Sequence, residues 1–173
     1  MMSTTHRLTG AAAGLAVTSA AGASLTHTVV TTAIAAVTAG GATSPDLDLR
    51  RGWRTADALL PDELAGHGGP FRHRGLAHWW GLPLIAGFLA VRTVPLQGQW
   101  LVGAALIGWC SHLVGDFFFG KANRYAGRGP GIPLAPWWWH VGLGLDTGGR
   151  LEAIVRWAVL PTTLTWQVVT RLG

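Results

Sequence analysis

Charge is scarce in this chain. Only 12% of its 173 residues are Asp, Glu, Lys or Arg, about half of what a water-facing globular surface carries, which argues against an ordinary soluble domain. Cysteine is scarcer still. The single Cys110 lies inside an apolar run, so there is no internal disulfide, no sign of an oxidising compartment and no cysteine metal site. Also missing are a serine nucleophile elbow, a phosphate-binding P-loop, a dinucleotide glycine fingerprint and a His-Glu-x-x-His helix, which removes the corresponding hydrolase, nucleotide-binding and metalloprotease readings.

What is present is apolar and arrives in long blocks, without the three-or-four-residue rhythm of an amphipathic helix. Stretches at 8–22 and 25–41, rich in Ala, Gly, Ser and Thr, predict a helical hairpin whose small residues allow close packing in lipid. For the first stretch a cleaved signal peptide is the alternative, since Arg7, an Ala-rich run and small residues near Ala21 fit that pattern. A second hairpin is expected from 79–91 and 100–119, and a fifth helix from 151–169, kinked at Pro161 and carrying Glu152 and Arg156 four apart. Polar loops occupy 43–78 and 120–150, the second holding Trp137, Trp138 and Trp139, whose indoles favour the headgroup region. The expected fold is all-α: one integral membrane domain over residues 1–173, a polytopic bundle of about five short transmembrane helices.

The formal charge is +5, and all 13 basic residues except Lys121 are arginines. They form no stripe of the kind that tracks nucleic acid. Nine of the 13 fall in the two polar loops and one in the turn 92–99, so the positive-inside rule puts the N-terminus and both loops in the cytoplasm of a bacterial inner membrane, with the chain crossing several times.

Four short motifs fall at the helix ends of that same face: Thr5-His6-Arg7, Pro45-Asp46-Leu47-Asp48, His73-Arg74-Gly75-Leu76-Ala77-His78, and Ser111-His112 with Asp116. His112 and Asp116 are four apart in a helical block, a spacing that brings two side chains to one ion, although a His–Asp hydrogen bond between helices explains it equally well. Asp46 and Asp48 follow a proline that ends the preceding helix, and paired carboxylates suit a hard or borderline cation or bridge two. His73 and His78 offer imidazoles, and Arg74 a bidentate contact to phosphate. His27, His67 and His140 have no such neighbours in sequence and are read as outside the site. Four imidazoles and three carboxylates (His6, Asp46, Asp48, His73, His78, His112 and Asp116) are ligands enough for one or two divalent ions with a position left for water. Zinc is the first choice, with manganese or iron as alternatives.

In this order the motifs resemble the YdjM-like family, described as LexA-regulated, inner-membrane-bound metal-dependent hydrolases. The resemblance covers roughly residues 5–152 and takes in Gly131-Ile132-Pro133-Leu134-Ala135-Pro136, with Thr147, Gly148 and Glu152 beyond it. It implies hydrolysis with a divalent metal. A more distant likeness runs to zinc-dependent phospholipase C and nuclease enzymes, which also gather His and Asp from helix ends. Ala77 stands where the family has Thr, Trp79 where it has Ser, and Leu49 follows Asp48 where a polar residue is common. These changes remove groups able to hydrogen-bond a ligand and leave the ligand set intact.

The expected activity is hydrolysis of a phosphoester or lipid-type substrate at headgroup depth, with Asp46, His78 and Arg74 facing the reacting group, membrane lipid as the surrounding partner and no nucleic acid bound. The alternative is a non-enzymatic membrane protein in which the same residues knit helix ends together or serve an envelope or stress-response interaction. A transporter is a weaker third reading, because no charge sits at a helix midpoint.

Overall fold

The computed structural model describes residues 3–41, 43–46, 74–120, 131–135 and 138–172. These are mostly helical: α1 (Ser3–Ala20), α2 (Leu25–Gly40), α3 (Gly81–Thr93), α4 (Leu96–Phe119), the short α5 (Arg150–Ile154) and α6 (Leu160–Leu172). A π-helical turn, Val155–Val159, joins the last two. It ends just before Pro161, whose missing N–H an unbroken α-helix would have to absorb; the Leu160 N–H bonds the Val155 carbonyl five residues back.

One part of the all-α expectation is corrected. The loop expected at 120–150 contains a two-stranded antiparallel hairpin, β1 (Ile132–Ala135) and β2 (Trp138–Val141), with Pro133 opposite His140. Pro133 is tolerated because a two-stranded sheet has only edge strands.

The centre of the molecule is a seam of small residues. A Cβ on Gly10 of α1 would collide with the Ala35 carbonyl of α2, and a Cβ on Gly108 of α4 would collide with that same oxygen. Ala35 and Ala39 are fully buried between these helices. Close backbone approach of this kind is how helices associate in lipid, where apolar side chains gain little by leaving the solvent. Replacing Gly108 with Leu is therefore expected to force α4 off α2, with a loss on the order of 3 kcal/mol; thermal unfolding in detergent against a Gly103→Leu control, a glycine with open space around it, would measure it.

Polarity is distributed inside out. The largest fully buried side chains include His6, His78, His112, Glu152, Thr5 and Asp116, while Leu84, Phe88, Val91, Leu96, Trp157 and Val169 are exposed. Among the described residues one helix, Leu96–Phe119, is long and apolar enough to cross a membrane, whereas Leu25–Gly40 and Gly81–Thr93 are apolar but shorter. At 24 residues α4 is about 36 Å long, enough for a hydrocarbon core of about 30 Å.

Candidate metal centre

The polar interior lies at one end of the bundle. α1 contributes His6 near its start, and α4 contributes His112 and Asp116 near its end. Asp46 stands beyond the end of α2, and His78 closes a 3-10 turn, Leu76–His78.

Unfilled carbonyls at the C-terminus of α2 draw these pieces together. Ser3 Oγ and Arg7 Nε donate to the Gly40 carbonyl at 2.6 and 3.0 Å, and His112 Nδ1 lies 2.6 Å from the Ala39 carbonyl oxygen. A helix end needs such donors. Because a carbonyl can only accept, Nδ1 of His112 carries a proton and Nε2 faces the cluster.

Four ligand atoms meet there. His78 Nε2 is 3.2 Å from Asp46 Oδ1 and 3.2 Å from His112 Nε2. Asp46 Oδ1 is 3.5 Å from His112 Nε2, and Asp116 Oδ2 is 3.5 Å from His78 Nε2 and 3.6 Å from His112 Nε2. All four lie within 4.8 Å of one another. Ligands bound tetrahedrally at zinc distances are about 3.3 Å apart, so this set fits a divalent ion. His78, His112 and Asp116 are buried, and only Asp46 keeps an open side. Burial alone would raise the Asp46 carboxyl, yet hydrogen bonds and charge from His112 and His78 hold it well below the usual carboxylate range. It is the site's anionic contact with solvent.

His6 stands beside this group. Its ring stacks on that of His112 with centroids 3.7 Å apart and planes 14° from parallel, and its Nε2 is 3.3 Å from Asp116 Oδ1. That approach lacks the alignment of a hydrogen bond, and neither ring nitrogen makes one, although the side chain is fully buried. A buried donor or acceptor left in that condition costs about 1–3 kcal/mol.

Arg74 is buried as well, its Nε 3.4 Å from Asp116 Oδ2. Its backbone is left-handed, with φ 60°, a conformation that costs a side-chain-bearing residue about 1–2 kcal/mol and that glycine would take freely. His140 Nε2 lies 3.2 Å from the Arg74 carbonyl oxygen and steadies this turn from β2. Read from sequence as outside the site, His140 thus supports it through the backbone. Nothing local could have flagged it, since the contact spans 66 residues.

Of the seven expected ligands, the structure brings together His6, Asp46, His78, His112 and Asp116, with Arg74 beside them; Asp48 and His73 lie outside the described residues, as does His67. His27 is apart, at the start of α2, with Nδ1 2.8 Å from Ser24 Oγ and its ring edge-on to Trp100. Two of the positions that depart from the family pattern, Ala77 and Trp79, are tied down in other ways, while Leu49 lies outside the described residues. Trp109 Nε1 donates to the Ala77 carbonyl, and Trp79 and Trp80 both donate to the Leu134 carbonyl, each at 3.0 Å, so the His78 turn is clamped between α4 and β1. Glu152 is buried and accepts from the Gly148 N–H at 2.6 Å, while the Thr147 hydroxyl donates to the Phe119 carbonyl. These contacts dock the start of α5 on the end of α4.

Apolar grooves flank α4. One, of about 660 Å³, runs between α1 and α4 and includes Thr9, Ser111, Gly115 and Phe119. Another, of about 420 Å³, lies between α3, α4 and β1 and is lined by Trp80, Leu84, Phe117 and Ile132 among others. Cys110, Val114 and Phe118 form the ridge between them.

The family model described as YdjM inner membrane protein matches residues 1–172 of the chain. No curated protein and no solved structure gives a significant match.

Proposed function

The chain belongs to the YdjM inner membrane protein family, and from that membership we propose that it is a multi-pass inner-membrane hydrolase whose reaction depends on a divalent metal held by Asp46, His78, His112 and Asp116. The observation that carries this reading is the convergence of four ligand atoms from three separate chain segments within 4.8 Å, in a largely buried setting. Two carboxylates balance a divalent charge, and two neutral imidazoles add none. Arg74 is then left as surplus positive charge beside the centre, which favours an anionic substrate such as a phosphoester.

The bound ion would supply an acidified water, a nucleophile available near neutral pH. The remaining work falls to the chain. Arg74, held rigid by its buried turn, orients the phosphoryl oxygens, and Asp46, at the open side of the cluster, accepts a hydrogen bond from the attacking water and aligns it, the proton passing on to solvent. His78, in contact with Asp46, fixes the orientation of that carboxylate, and the leaving oxygen takes its proton from solvent. The burial of His112 and Asp116 keeps bulk water from the interior face.

The positive-inside rule places this end of the bundle, where both Arg-rich loops attach, at the cytoplasmic face with the N-terminus. A substrate with an acyl chain fits the surroundings, because Thr9, Ser111, Gly115 and Phe119 bring the larger apolar groove within a helical turn of His6, His112 and Asp116. Two shorter apolar helices, Leu25–Gly40 and Gly81–Thr93, with exposed Leu, Val and Phe beside the long α4, support a chain that crosses the bilayer more than once.

The test is chelation. Detergent-purified protein should carry near-stoichiometric zinc, manganese or iron, hydrolyse a phosphoester or phospholipid, lose both ion and activity to a chelator, and regain them when the ion is restored. Protein that stays metal-free after reconstitution would sink the proposal and favour the reading in which the His–Asp pairs only knit helix ends.

A further inference from the structure

His6 is the residue the four-atom cluster leaves unexplained. It is fully buried, its Nε2 lies 3.3 Å from Asp116 Oδ1, and among the described residues neither ring nitrogen makes a hydrogen bond. Its ring is nevertheless held in a defined pose, stacked 3.7 Å from that of His112 at 14°.

The Asp116 carboxylate shows what this pose can do. Oδ2 faces His112 Nε2 and His78 Nε2, at 3.6 and 3.5 Å, while Oδ1 faces His6 Nε2 at 3.3 Å. Two near-parallel imidazoles thus set their Nε2 atoms beside the two oxygens of one carboxylate, with ring centroids 3.7 Å apart. Two-metal hydrolytic sites hold their ions about 3.5–4 Å apart under a bridging carboxylate. From this match we infer that the centre takes a second divalent ion, bound by His6 Nε2 and Asp116 Oδ1, with Asp116 bridging it to the ion of the four-residue group.

This inference rests on the proposed metal-dependent reading. The second position has two ligands among the described residues against four for the first, so it binds its ion more weakly and keeps positions for water and substrate oxygens. It also raises the charge of the centre by two, which suits a phosphoryl group better than a neutral ester. Simple ion pairing would predict an aligned N–H···O contact between His6 and Asp116. The contact at 3.3 Å lacks that alignment.

The experiment is ion counting with a magnetic readout. The full chain in detergent is dialysed to equilibrium against a fixed concentration of free Mn(II), and bound ion is measured by elemental mass spectrometry against the dialysate and by electron paramagnetic resonance. The wild type is expected to hold two ions per chain with an exchange-coupled spectrum. His6→Phe keeps a ring stacked on His112 but offers no ligand, and should hold one ion with an uncoupled spectrum; His6→Ala, checked by circular dichroism, serves if the larger ring disturbs packing. One ion per chain in both wild type and variant would overturn the second position and leave the mononuclear reading standing. Two coupled ions in the variant would overturn the assignment to His6. A wild type that holds none would remove the metal-dependent reading and this inference together.

Discussion

Asp116→Asn is expected to strip the centre of its metal while leaving the helices in place. The substitution keeps the side-chain volume, so the packing of α4 against α1 and α2 has no steric reason to change, but it removes the anion that faces His6, Arg74, His78 and His112 within 3.3–3.6 Å. Taking one partner from a buried set of charges costs on the order of 3–5 kcal/mol, which corresponds to at least about a hundredfold in ion retention. Elemental analysis should show substoichiometric metal in protein whose circular dichroism is unchanged, and hydrolysis should fall in parallel. If the variant retained a full complement of ion, Asp116 would be a structural partner and no ligand.

The second large effect is at Arg74, where two demands on one residue can be separated. Its left-handed backbone favours glycine, whereas on the proposed reading its guanidinium meets an anionic substrate. Arg74→Gly should therefore be more stable than Arg74→Ala by about 1 kcal/mol, with both variants losing about 10²–10³ in turnover of a phosphoester, the loss typical when a donor to developing transition-state charge is removed. Both should keep their metal. Paired measurements of thermal midpoint, ion content and kcat/KM would check this; full turnover in the glycine variant would mean that the arginine serves only to pair Asp116.

Which parts of this arrangement were legible before any coordinates follows from the range of the signals. His112 and Asp116 could be paired from sequence because four residues make one helical turn. The Arg-rich loops and apolar blocks placed His6, Asp46 and His78 at one end of the chain's helices, since charge and hydropathy are read over tens of residues. The stacking of His6 on His112 was not readable, because it depends on α1 and α4 both closing on Ala35 through Gly10 and Gly108, and glycines in apolar helices do not name their partners. β1 and β2 were missed for another reason: each has four residues, and Pro133 and a run of tryptophans hide any alternation. With the hairpin went His140, which reaches the Arg74 carbonyl from β2. Trp79, read as the loss of a polar neighbour, is an anchor to Leu134, which only the hairpin's position reveals.

The carbonyls of Ala39 and Gly40 also set an order of events. The ribosome releases α1 and α2 long before α4, so the first hairpin can form early, with Ser3 and Arg7 covering Gly40. Ala39 must wait for His112, and so must the pocket, since Asp116 arrives on the same helix and His78 is clamped by Trp109 of that helix. On the proposed metal-dependent, membrane-inserted reading, ion loading is then a late step of biogenesis, and cells starved of the metal should accumulate inserted, empty protein in place of chains stalled during translation.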